Sequence, residues 1–95
     1  MWKNWEKEII SNREKYYTLP LHLEIEKTKM VVELIVMIRQ ISDNPEEWKV
    51  LITTHHRSSG EYIVFEDTFR SLQDAEMTAW DQAQQSINIR KDWLT

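Results

Sequence analysis

Met30-Val-Val-Glu-Leu-Ile-Val-Met-Ile38 is the most apolar run of the chain, it lies near the middle, and what it becomes decides the fold. On a helix, Met30, Val31, Leu34, Ile35, Ile38 and Ile41 share one buried stripe. Val32, Val36 and Met37 then flank the stripe, so the helix would be buried nearly all round. On a strand, Met30, Val32, Leu34, Val36 and Ile38 share one face, and Val31, Glu33, Ile35, Met37 and Arg39 share the other. Periodicity does not choose between the two. Residue type leans: Val31, Val32, Ile35, Val36 and Ile38 are β-branched, stiff at χ1 and suited to a pleated surface. We therefore read a central strand with one wholly apolar face and one mixed face. A transmembrane helix is excluded, because a span needs about 20 mostly apolar residues and this run is shorter and holds Glu33.

Working upstream, Leu21-His-Leu-Glu-Ile-Glu26 alternates and predicts a half-buried strand, joined to the central run through Lys27-Thr28-Lys29. Trp2, Trp5, Ile9 and Tyr16, with Ile10 and Tyr17 on the shoulder, trace a helical stripe over Trp2 to Tyr17. Pro20 would close that helix by pushing Leu19 out of the helical region. Working downstream, Ser42-Asp-Asn-Pro-Glu46 is a turn, with Pro45-Glu46-Glu47 able to form one helical turn. Trp48 to Thr54 and Glu61 to Phe65 read as two strands joined by Arg57-Ser-Ser-Gly60. Gly60, the only glycine, is the candidate for positive φ. Ser71-Leu-Gln-Asp74 starts a helix as a capping box does. That helix runs to about Arg90, with Leu72, Ala75, Ala79, Ala83 and Ile87 as its stripe. Arg90 and Lys91 suit its negative end, and Trp93 and Leu94 would fold back on the core.

These elements predict an α+β two-layer sandwich. It is an antiparallel four-stranded meander with N- and C-terminal helices on one face, α-β-β-β-β-α. A helical central run would give α-β-α-β-β-α instead.

Ninety-five residues suggest one domain over 1–95, large enough to bury somewhat over about 60% of its unfolded surface. The chain has no cysteine, which removes disulfides, thiolate catalysis and the common structural zinc sites. The N-terminus lacks the apolar core of a secretory signal, so a cytoplasmic location is expected. A net charge of −4 and a pI near 5.3 disfavour general binding to nucleic acid or anionic membranes. The five tryptophans are assigned mainly to packing at the core and its edge.

No phosphate loop, nucleophile elbow or Cys–His pair is present, and no cofactor or metal is expected. His55 and His56, with His22, Glu61 or Asp67, are the residues from which a metal site or a base would be built. Being adjacent on a strand, the two histidines point to opposite faces. Glu66-Asp67 and Asp74-Glu76 offer paired carboxylates, better explained by capping and solvation. His55, His56, Arg57 and Arg70 make a small basic cluster able to touch phosphates.

The order of hairpin, strand and alanine-striped helix over Trp48 to Ile87 resembles double-stranded RNA-binding domains and the arm-binding domains of phage integrases. The resemblance implies a nucleic-acid contact near the hairpin. The RNA-binding family carries a lysine cluster at the start of its last helix, where this chain reads Ser71-Leu72-Gln73-Asp74.

Val31, Ile35 and Met37 on the mixed face of the central strand are the other candidate surface. With both helices on the opposite face, these residues would be exposed together and mark a site for a protein partner or for homodimer formation. The expected role is a small acidic interaction module without catalysis. The alternative is a nucleic-acid-binding module using the His55–Arg57 hairpin.

Overall fold

The computed structural model describes residues 1–25, 27–56 and 60–92. Five strands, β1 (Glu6–Ser11), β2 (Glu14–Ile25), β3 (Thr28–Asp43), β4 (Glu46–His56) and β5 (Gly60–Phe69), precede a single helix, α1 (Leu72–Asp92). The strands form one antiparallel sheet in the order β1-β2-β3-β4-β5, so every connection joins neighbours.

The central run is a strand, at the heart of β3, and this overturns the α-β-α-β-β-α alternative. Its two faces differ as period 2 demands, Leu34, Val36 and Ile38 being fully buried while Val31, Glu33 and Arg39 are exposed, although Met37 on the second face is buried as well. Tyr17, Val36, Ile52 and Phe65 stand opposite one another across β2 to β5, as do Leu19, Leu34, Thr54 and Tyr62. Residues paired in this way share a face. This face carries the core, closed by Ala75, Ala79 and Ala83 of α1, all fully buried, with Leu72 and Ile87 beside them. The expected alanine stripe is thus the contact surface of α1. The expected cap is present too: Ser71 Oγ accepts a hydrogen bond from the Asp74 N–H at 3.1 Å.

Two expectations fail. Residues 2–17 are not a helix, and the meander has five strands rather than four, with one helix rather than two on its covered face. The helical spacing of Trp2, Trp5, Ile9 and Tyr16 conceals a hairpin, β1–β2, that turns at Asn12–Arg13. Ser11 Oγ fastens that turn by accepting from the Arg13 N–H at 3.1 Å. Tyr16, Tyr17 and Thr18 are strand formers, and β2 carries them straight on through Pro20. Proline is tolerated there because β1 pairs only as far as Thr18, leaving β2 an edge strand at Pro20. The Trp2–Trp5 segment is instead a turn with Asn4 at φ 75°. Trp2 stacks on Tyr17 at 4.0 Å and meets Trp80 of α1 edge-on at 5.1 Å. One indole therefore fills part of the layer assigned to a helix.

The turn after β3 is Asn44–Pro45, a cis peptide; Glu46 already belongs to β4, so no helical turn forms there. Gly60 has the expected positive φ, 86°. Arg57, Ser58, Ser59, Trp93 and Leu94, on which other expectations fall, lie outside the described residues.

Lys15 of β2 bonds Glu76 of α1 and ties the helix to the sheet away from the alanines. Partial burial opposes the lysine charge, but the bond to Glu76 and the neighbouring Tyr17 outweigh it and hold Lys15 above its ordinary 10.5. A raised lysine pKa stabilises the fold fully below the unfolded value and ceases to do so as pH rises through the folded value. Glu76→Gln should therefore cost about 1 kcal/mol at neutral pH. The gap between wild type and variant should close in alkali above 10.5. Thermal melts at the two pH values check this; a gap that persists in alkali contradicts it.

Candidate functional site

The register that puts Leu34, Val36 and Ile38 under α1 puts Val31, Glu33, Ile35, Met37 and Arg39 on the opposite face, which no described element covers. Two rows at its centre carry its apolar side chains between carboxylates at the margins: Glu8, Tyr16, Met37, Leu51 and Glu66, then Glu6, Thr18, Ile35, Thr53 and Ile63. A row with cations bounds them on one side, Glu14, Arg39, Lys49 and Thr68. An acidic row bounds them on the other, Pro20, Glu33, His55 and Glu61.

The three residues expected to be exposed together do share this face, but unequally. Val31 is 46% exposed, Ile35 is half-buried and Met37 only 8% exposed. Met37 lies between Tyr16 and Leu51, its partners on the flanking strands. Cross-strand neighbours sit close enough to shield one another without a helix above them. A register irregularity in β5 between the partners of Ile52 and Thr53 leaves Val64 as the extra residue. Ile63 beside it is 65% exposed. Tyr16, Leu51 and Ile63 were not found from the sequence, because only the strand register brings them beside Ile35 and Met37.

The charged groups of the face are held by local chemistry. Lys49 pairs with Glu66 at 3.1 Å. Burial first, and the Glu14 carboxylate second, push the Tyr16 hydroxyl above its usual range, while Arg39 pulls the other way. Arg39 and Glu33 are exposed and, among the described residues, form no ion pair.

The described members of the proposed basic cluster, His55, His56 and Arg70, do not come together. His55 is exposed on the helix-free face with Glu33 and Glu61 directly across from it, and His56 is on the other face. Arg70 follows the far end of β5, about 30 Å from the hairpin by strand rise. Arg57 lies outside the described residues. Of the candidate base or metal set, only Glu61 lies beside His55; His22 pairs with Val31, and Asp67 with Val50. Among the described residues no three histidines or carboxylates are grouped to hold a metal. The carboxylate pairs have structural partners. Glu66 bonds Lys49, Asp67 accepts from the Thr68 N–H at 2.8 Å, and Glu76 bonds Lys15.

On the covered face, Lys7, Ile9, Lys15, Trp48 and Leu72 line a cavity of about 160 Å³ between β1 and the start of α1. Small-molecule sites run from about 300 Å³ upward, and Lys15 is already committed to Glu76. Among the described residues no helix is long and apolar enough to cross a membrane. Comparison with known protein families, curated proteins and solved structures returns no match.

Proposed function

We propose that the chain is a non-catalytic interaction module that docks a protein surface on the helix-free face of its sheet. The observation that supports this is the group of Tyr16, Ile35, Leu51 and Ile63 on one sheet face, rimmed by charged side chains that include Glu6, Glu8 and Glu66, and covered by nothing among the described residues. Apolar side chains gathered on one rigid face and rimmed by polar ones are the anatomy of a partner surface. The nucleic-acid alternative is weaker, because carboxylates flank His55 and Arg70 stands apart from it.

Covalent footprinting tests the reading. Val31 and Ile63 should be labelled less in a concentrated lysate of the native cell than in dilute purified protein. Met77, on the exposed side of α1, should be labelled equally in both. Equal labelling of all three under both conditions removes the proposal.

A further inference from the structure

We infer that the partner this face takes is a basic protein surface, one that sets apolar side chains on Tyr16, Ile35, Leu51 and Ile63 and places lysines or arginines around them. The inference rests on the reading of this face as a docking surface and deepens it by stating the chemistry of what docks.

The argument is where the charge lies. The four rows of the face hold six carboxylates, Glu6, Glu8, Glu14, Glu33, Glu61 and Glu66, against two cations, Arg39 and Lys49. The whole sequence has 16 carboxylates and 12 cations, a net charge of −4. Outside these rows, ten carboxylates therefore stand against ten cations. The acidity of the chain is thus the acidity of this one face.

Most of that charge is unspent. Lys49 is committed to Glu66 at 3.1 Å, which leaves Arg39 as the other cation of the rows. Glu6, Glu8, Glu33 and Glu61 are exposed and, among the described residues, form no ion pair. They stand close to one another. Glu6 and Glu8 are alternate residues of β1, about 7 Å apart, and Glu33 and Glu61 flank His55, about 10 Å apart across three strands. Neither separation exceeds the screening length of about 10 Å at 0.1 M salt, so each pair repels itself. A partner with cations around an apolar centre relieves that repulsion and covers the apolar group in one step.

The same charges disfavour the other occupants. Phosphates, of nucleic acid or of a lipid headgroup, are repelled. A second copy would lay carboxylates over carboxylates. Among the described residues no three histidines or carboxylates converge on a metal.

Footprinting of the full chain tests this, with Val31 and Ile63 as reporters and dialysed, nuclease-treated lysate of the native cell as titrant. Both reporters should be protected at about 0.1 M salt. At about 1 M the screening length falls to about 3 Å, and half-protection should need at least roughly tenfold more lysate. Glu33→Lys and Glu61→Lys, both at exposed positions, should each raise the requirement by at least roughly tenfold as well. Asp81→Lys, on the exposed side of α1, changes the net charge equally and should behave as wild type. Circular dichroism confirms that each variant stays folded. Protection indifferent to salt, or to either reversal on the face, overturns the inference and leaves the docking face standing. Equal weakening by Asp81→Lys overturns it too, since net charge and not this face would then be felt. Protection of the purified chain alone at about 500 µM assigns the face to a second copy and likewise overturns it. No protection in lysate ends the inference and the docking face together.

Discussion

Leu34→Asp will leave the chain unfolded at room temperature, whereas Ile35→Asp, one residue along, will fold. Leu34 is fully buried on the covered face, opposite Leu19 and Thr54. A carboxylate there has no cation paired with it across the sheet. Losing the leucine side chain costs about 2–5 kcal/mol, and leaving a buried charge unpaired costs about 3–5 kcal/mol more. A domain of this size has about 5–10 kcal/mol in total. Ile35 is half-buried on the uncovered face, and a carboxylate there keeps water within reach, so the cost is about 1 kcal/mol, or about 4–8 °C. The measurement is far-ultraviolet circular dichroism with urea titration. It should be made at about 1 µM, so that loss of any dimer does not add to the Ile35 effect. A helical central segment makes the opposite forecast, since both residues would then sit on its buried stripe and fail together. Equal damage from the two variants would therefore contradict β3.

The same contrast shows what the residues alone can specify. β3, β4, β5 and α1 are legible because their patterns are local: β-branched alternation, a turn at Asn44–Pro45, a glycine at φ 86°, a serine cap and alanines every fourth position. The first hairpin is illegible for a physical reason. Asn12–Arg13 turns the chain without glycine or proline, so nothing punctuates the false helical stripe from Trp2 to Tyr16. Pro20 misleads in the same way. It reads as a helix stop, yet it sits in a strand whose neighbour has already ended. Trp2 shows the remaining gap, because its stacking on Tyr17 and contact with Trp80 are fixed by tertiary packing that no short window contains. The candidate surface divides likewise. Period 2 within β3 is enough to put Val31, Ile35 and Met37 on one face. Adding Tyr16, Leu51 and Ile63, and finding that Met37 is shielded by its neighbours, requires the register between strands.

Ala79→Leu should lower the melting temperature by about 10–20 °C, although leucine is almost as good a helix former as alanine. Ala75, Ala79 and Ala83 are all fully buried against the sheet, so α1 rides on a face with almost no side chain between backbone and strands. Extra carbons at the middle position have no space, and overpacking a core costs about 1–3 kcal/mol. The helix can relieve the clash by lifting, which strains the edge-on contact of Trp80 with Trp2 and the bond from Lys15 to Glu76. Near-ultraviolet circular dichroism should therefore lose tryptophan signal while far-ultraviolet helix content remains. Ala79→Gly separates packing from propensity. It keeps the close approach and loses only about 1 kcal/mol of helix preference, so it should melt above Ala79→Leu. If glycine proves the more damaging substitution, α1 is held by its own helicity rather than by close contact with the strands. That result would also undercut the division of the molecule into a closed face and an open one. A helix seated on alanine closes the first face with a thin layer, and among the described residues nothing closes the second.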